Sequence, residues 1–187
     1  KPGEAVFYAP KVECDFRDVM GRTWTLGTIQ VDMSAPDRFD LRYVGSDGQE
    51  HRAAMLHRAI LGSLERFIAI YLEHTAGDFP LWLAPVQVRV LPIAERHAAW
   101  GAQVREALAA RGLRAELDDR NEKLNFKIRE AETQKIPVMA VVGDQEVANG
   151  TVTPRRRHGA KGAAESPSLA AFADELAAAV AARRARA

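Results

Sequence analysis

Cysteine is nearly absent from this chain: Cys14 is the single one in 187 residues. That excludes an internal disulfide framework and suits a reducing compartment. Long apolar runs are missing as well. The longest, such as Leu81-Trp82-Leu83-Ala84-Pro85-Val86, fall far short of the roughly 20 residues that a membrane span requires. No secretory signal is legible at the start, where Lys1-Pro2-Gly3-Glu4 leads directly into strand-like sequence. These absences predict a cytoplasmic protein. The net charge is only +1 at pH 7, so no overall basic field marks a nucleic-acid binder. No segment repeats another.

What is present reads as an ordinary globular chain, long enough for one large domain or two small ones. Its charge is unevenly spread. Arg155-Arg156-Arg157-His158 with Lys161 forms one basic cluster, and Arg183-Arg184 with Arg186 forms another. Such runs are either solvated surface or a footprint for an acidic partner.

The opening stretch has the pattern of antiparallel strands over 6–8, 12–16 and 23–31, with a turn at Met20-Gly21. Alternation in the last strand puts Thr28 and Gln30 on one face. Polar turns are predicted at Ser34-Ala35-Pro36-Asp37 and at Ser46-Asp47-Gly48, the latter between Tyr43 and His51. From Leu56 to His74 the spacing of Ile60, Leu64, Phe67 and Tyr71 predicts a helix. On such a helix Ala59, Gly62, Ser63 and Arg66 would share a face of small residues edged by a guanidinium. Gly62 costs about 1 kcal/mol of helix propensity relative to Ala, so either close packing or a ligand on that face is called for.

Gly77-Asp78-Phe79-Pro80 ends this region, and Leu81-Trp82-Leu83-Ala84-Pro85 reads as a linker. Beyond it, strands at 86–91, 113–117, 137–142 and 151–154 alternate with helices at 95–111, 122–134 and 167–184. That order predicts a mainly parallel sheet covered by helices. The change of pattern sets a domain boundary near residue 80, giving domains 1–80 and 81–187.

Two groups of motifs carry a resemblance. Val6-Phe7-Tyr8-Ala9-Pro10-Lys11, Gly21-Arg22-Thr23-Trp24, Leu26-Gly27-Thr28-Ile29-Gln30-Val31-Asp32 and Tyr43-Val44-Gly45 precede Met55-Leu56-His57-Arg58-Ala59-Ile60-Leu61-Gly62-Ser63-Leu64-Glu65-Arg66-Phe67. Together they resemble the late catalytic sheet and third signature motif of class II aminoacyl-tRNA synthetases, in the threonyl form. Phe79-Pro80-Leu81-Trp82-Leu83-Ala84-Pro85-Val86-Gln87, Asp119-Arg120-Asn121-Glu122-Lys123 and Lys127-Ile128-Arg129-Glu130-Ala131 look like the junction and anticodon-binding domain of the same threonyl-tRNA synthetase family. The resemblance implies an α/β (α+β) architecture: an antiparallel remnant of the class II catalytic sheet, then a mixed-sheet anticodon-binding domain.

It also implies chemistry. In this family threonine and ATP, with Mg2+, condense to an adenylate, and the threonyl group passes to its tRNA. Arg66 matches the catalytic arginine that contacts ATP phosphate, where a fixed guanidinium stabilises developing charge. Thr28, Gly62 and Ser63 match the ATP site, and Tyr8 and Gln30 match positions lining the threonine pocket. His57 matches one of three protein ligands of a Zn2+ ion, with two His and one Cys leaving an open position for threonine. Asn121, Lys135, Glu146 and Arg155 match residues that read anticodon bases by hydrogen bonds to splayed-out edges, and the basic stretch after Arg155 would lie beside the RNA backbone.

The sequence departs from the family pattern at Thr25, where Gln is common, at Ala9, where Gly is usual, at Asn125, a common Gly, and at Lys135, often Arg. The first two class II motifs, the other zinc ligands and the editing region have no counterpart here. The chain is thus expected to be a piece of a longer, homodimeric threonine–tRNA ligase, inactive alone, with threonine tRNA, threonine and ATP as partners and no role at a membrane or on DNA. The alternative is a natural non-catalytic paralogue that grips tRNA.

Overall fold

The computed structural model describes residues 9–157, 159 and 166–183. The chain forms two compact units, Lys1–Ala76 and Gly77–Ala187.

In the first unit, β1 (Lys11–Arg17), β2 (Thr23–Asp32) and β5 (Met55–Ala59) form an antiparallel sheet in the order β1-β2-β5. The hairpin turn between β1 and β2 is built on Asp18. Its carboxylate accepts the backbone N–H groups of Met20 and Arg22, Nε of Arg22 and Nε1 of Trp24, at 2.5–2.9 Å. Those donors, led by the Trp24 indole, hold the Asp18 carboxyl down to about 2. A short helix α1 (Ser34–Arg38) stands where the proline suggested a plain turn, because Oδ1 of Asp32 accepts the N–H groups of Ser34 and Ala35 and so nucleates it. The hairpin of β3 (Arg42–Val44) and β4 (Glu50–Arg52) pairs Tyr43 with His51 across the Ser46-Asp47-Gly48 turn.

The helix expected over 56–74 is two elements. Met55–Ala59 is strand β5, and helix α2 runs only from Leu64 to Thr75. Apolar residues in a short run fit either period. Here the ladder to β2, from Thr28↔Ala59 to Asp32↔Met55, offers this segment hydrogen bonds that a helix end could not better. Gly62 then turns the chain with φ +67°, and a Cβ there would lie 2.9 Å from the Leu26 carbonyl oxygen. Its smallness answers to this turn and close approach, not to a helix face. Ser63 caps α2, its Oγ accepting from the Arg66 N–H at 3.2 Å. Ala59, Gly62, Ser63 and Arg66 therefore do not share a helical face.

The second unit is a four-stranded sheet, order β7-β6-β8-β9, of β6 (Val88–Pro92), β7 (Ala115–Leu117), β8 (Val138–Val142) and β9 (Thr153–Arg156). The first three strands are parallel and β9 is antiparallel to β8, so the sheet is mixed. β6 is buried along its whole length, as befits a strand covered on both faces. Val88, Val90, Val138 and Val142 pack with Val104, Leu108, Phe172 and Leu176, from helices α3 (Ala98–Ala109) and α6 (Leu169–Ala181). Leu91 and Met139 pack on the other side with Ala131 of helix α4 (Leu124–Thr133). Helix α5 (Asp144–Asn149), which has no apolar stripe to announce it, links β8 to β9.

The stretch read as a linker is part of this unit. Leu81 and Ala84 are 1% and 2% exposed. The Gln87 amide donates to the Leu81 carbonyl, and the Arg114 guanidinium donates to the carbonyls of Trp82, Ala84 and Pro85.

Candidate functional site

Strand register decides which candidates of the first unit meet. Residues directly opposite in an antiparallel pair project from the same face. Gln30 lies opposite His57, and Thr28 lies opposite Ala59, so Thr28, Gln30 and His57 share one face of β2 and β5. Asp32 belongs to the same face, and its Oδ2 is 3.1 Å from Nε2 of His57. The Ala35 backbone N–H, followed by His57, lowers the Asp32 carboxyl below its ordinary range. The Asp32 side chain is nearly buried, whereas that of His57 is half exposed. Bonding at Nε2 leaves Nδ1 of His57 available as an acceptor or ligand. Among the described residues the side chains of Thr28 and Gln30 have no hydrogen-bond partner, which suits groups that wait for a ligand. Tyr8 lies outside the described residues.

Arg66 is not brought to this group. The β1–β2 register slips at one point: Cys14 opposes Gly27 and Asp15 opposes Thr25, leaving Leu26 unpaired. Such a bulge reverses the facing of residues beyond it. Trp24, opposite Phe16, consequently falls on the face away from Thr28, despite the even spacing in sequence. The Arg66 guanidinium lies 5.4 Å from the centre of the Trp24 ring and donates to the Thr25 carbonyl at 3.0 Å. It is exposed, and among the described residues that is its only side-chain hydrogen bond. Gly62 and Ser63 serve the turn and cap already described. Thr25, on the facing side with Asp15, donates its hydroxyl to that carboxylate at 2.6 Å.

No three His, Cys, Asp or Glu side chains among the described residues come together to hold a metal ion. The donor set of the described residues therefore does not fit a complete zinc site; His57 offers one nitrogen, with Asp32 behind it.

In the second unit the four base-reading candidates fall at two edges of the sheet. Asn121 is exposed on the 118–123 loop, just past the C-terminal end of β7, and Glu146 sits on α5, just past the same end of β8. Lys135 precedes the opposite end of β8, in a left-handed conformation with φ +62°. Arg155, opposite Met139 on β9, belongs with Lys135: its guanidinium pairs with Glu132 at 2.9 Å, and the Lys135 N–H donates to the Glu132 carbonyl. Glu146 is already engaged, accepting from the Gly143 N–H at 2.8 Å and the Thr153 hydroxyl at 2.7 Å. Burial pushes its carboxyl up, but the Thr153 hydroxyl and the Gly143 N–H, with its own N–H and the nearby His97, together leave the group below its ordinary range.

Sequence reading missed the residues that hold the Asn121 loop. Lys127 is 2% exposed, and its ammonium donates to the carbonyls of Pro92 and Asp118 at 3.2 and 2.9 Å. Arg120 grips the Asp118 carboxylate with two N–H groups, at 2.8 and 2.7 Å, and also pairs with Glu130. Arg120 is the main cause of the lowered Asp118 carboxyl. A signal was available: Leu124, Lys127, Ile128 and Ala131 form the inward stripe of α4, so a lysine stood at a core position.

Comparison with known families follows the same division. Residues 3–75 match the tRNA synthetase class II core domain (G, H, P, S and T), and residues 87–179 match the anticodon binding domain. The fold and both matches thus place the chain among the class II aminoacyl-tRNA synthetases. Threonine–tRNA ligase of Caldanaerobacter subterraneus subsp. tengcongensis is 57% identical over 155 residues, and that of Chlorobium chlorochromatii 60% over 154; these cover 83% and 82% of this chain but 24% and 23% of those proteins. The crystal structure of the RNA binding domain of threonyl-tRNA synthetase from Cryptosporidium parvum Iowa II superposes with a TM-score of 0.85 at 35% identity, covering 94% of this chain and 44% of that one. The chain belongs to the threonyl-tRNA synthetase family, matching its C-terminal part. It spans about a quarter of the length of the curated relatives it matches.

Proposed function

We propose that this chain is the tRNA-reading part of a threonine–tRNA ligase and contributes one face of the aminoacylation site. The observation that carries the catalytic half is the Gln30↔His57 register, which gathers Gln30, Thr28 and His57 on one face with their polar groups unspent or half exposed. Gln30 would bind threonine and Thr28 the adenylate. Structural duties do not account for this grouping, so it favours the ligase over a non-catalytic paralogue. Tyr8 and Arg66 join the reading on the resemblance. Arg66 would have to leave the Trp24 ring to meet a phosphate of Mg2+-ATP on the Thr28 face; among the described residues it is exposed and held there by one hydrogen bond and the ring.

Zinc through His57 requires donors that the described residues do not supply. A bound zinc ion would polarise threonine as a Lewis acid. What this chain adds is the Asp32 carboxylate, which fixes the imidazole as the outer partners of metal-bound histidines do.

In the second unit, Asn121, Lys135, Glu146 and Arg155 would read unstacked anticodon bases. Lys135 and Arg155 form one contact and Asn121 with Glu146 another. Two measurements test the proposal. Filter binding of the purified chain should favour threonine tRNA over a tRNA bearing another anticodon, and threonine-dependent pyrophosphate exchange should be undetectable without the rest of the ligase. Equal binding of both RNAs removes the reading function; exchange by these residues alone contradicts their being one face of the site.

A further inference from the structure

The second unit buries a charge that the proposed function leaves unused. Lys127 is almost wholly enclosed on the inward face of α4. An ammonium in an apolar setting is costly unless its donors are satisfied. Among the described residues it makes no ion pair; it donates to two backbone carbonyls, Pro92 at the end of β6 and Asp118 just past the end of β7. A neutral side chain would fill this space at lower cost, so the charge must hold something in place. Asp118 is what it holds. The Asp118 N–H donates to the Val90 carbonyl at 3.0 Å, its carbonyl accepts from Lys127, and its carboxylate is gripped by Arg120, itself tied to Glu130 of α4. Asn121 comes three residues later, exposed on the loop so anchored.

We propose that Lys127 is a positioning residue for RNA reading: it fixes the 118–123 loop from inside the domain and thereby sets how Asn121 is presented to an unstacked base. This rests on the proposed reading of a base by Asn121. Asn has two hydrogen-bonding groups to align with a base edge, so a shift of about 1 Å in its loop weakens both bonds together.

The test uses a full-length threonine–tRNA ligase carrying this segment, with Lys127→Met, Asn121→Ala and the double variant. The KM for threonine tRNA is measured beside threonine-dependent pyrophosphate exchange without tRNA. We expect Lys127→Met to raise the KM for tRNA roughly tenfold and to leave exchange unchanged. The double variant should be no worse than the worse single one, because Lys127 acts through Asn121. Multiplying effects, or a loss of exchange, would show that Lys127 only stabilises the domain and would overturn the proposal. Should Lys127→Met fail to fold, Lys127→Arg replaces it: the bulkier guanidinium overfills the space that encloses the ammonium and shifts the loop, and the same non-additivity is required. If Asn121→Ala alone leaves the KM unchanged, base reading by Asn121 falls, and the positioning role falls with it; a raised KM in Asn121→Ala with none in Lys127→Met overturns the positioning role alone.

Discussion

The two units differ most in what covers their sheets. In the second, valines of β6 and β8 meet α3 and α6 on one face and Leu91 and Met139 meet α4 on the other, leaving these side chains almost without solvent. In the first, Leu26 and Pro36 alone among the described aliphatic and aromatic side chains are buried, while Val12, Phe16, Ile29, Leu56, Ile60 and Leu64 are exposed. An open cleft of about 530 Å³ lies between Phe16, Leu26 and Gly27 of the sheet and Phe67 and Tyr71 of α2. Exposed apolar surface of this kind is what interaction surfaces and ligand grooves are made of. The second unit carries its own core, whereas the described part of the first is a hydrogen-bonded scaffold with little apolar cover. The candidate site of each inherits that difference. Gln30 and His57 are aligned by strand register, with the Asp32 carboxylate on the imidazole, and Asn121 by a loop locked to a filled core.

Separating the units gives the largest expected effect. Residues 77–187 expressed alone should unfold in a single cooperative urea transition. Residues 1–76 alone should bind a hydrophobic dye and show no cooperative transition. A sharp transition for 1–76 would end the comparison. Single substitutions sharpen it. Phe172→Ala, in the filled core, should cost about 3–5 kcal/mol in chemical denaturation. Leu72→Ala, at a side chain 46% exposed, should stay within about 0.5 kcal/mol. Equal costs would show that the first unit has a core after all.

A middle-sized effect belongs to the junction. The Gln87 amide, fully buried, donates to the Leu81 carbonyl at 2.9 Å and accepts the Arg114 N–H at 2.8 Å. Gln87→Met keeps the volume but strands both partners, so a loss of about 1–3 kcal/mol is expected in the second unit. A neutral outcome would mean that the segment from Leu81 to Pro85 is the linker its composition suggested.

That segment shows what sequence could and could not convey. Period and turn residues revealed the hairpin strands, the alternation of the second unit and the facing of Thr28 with Gln30, because side-chain period is local information. The strand at Met55–Ala59 was hidden, since its partner is β2, some 30 residues away, and nothing in five mostly apolar residues distinguishes a ladder from a helix turn. The bulge at Leu26 was hidden for a similar reason: it is a property of the pair β1–β2, and it turned Trp24, and Arg66 with it, away from the Thr28 face. Motif resemblance named the candidate residues of both units without showing their geometry. The buried role of Lys127 was legible in the stripe of α4, but a charged residue name concealed it.

The smallest expected effect concerns acid, and it too separates the units. Asp144 opens α5, where Arg96, through two N–H groups at 2.9 and 2.8 Å, and then His97 hold its carboxyl far below the ordinary carboxylate range. A group whose folded value is depressed stabilises the fold above its unfolded value, 3.8, and that contribution is lost as pH falls towards the folded value. The pair is mostly solvent-exposed, so the effect is modest and screened by salt. Wild type should therefore lose more stability between pH 5 and pH 3 than Asp144→Asn does, with the urea midpoint of the second unit as the measure and the gap closing in about 1 M salt. Identical acid slopes for the two proteins would place the pH dependence elsewhere. Asp18, held at about 2 by Trp24 and Arg22, is the corresponding group of the first unit. Asp18→Asn should leave the acid slope of the second unit as in wild type, since the two carboxylates stabilise different units.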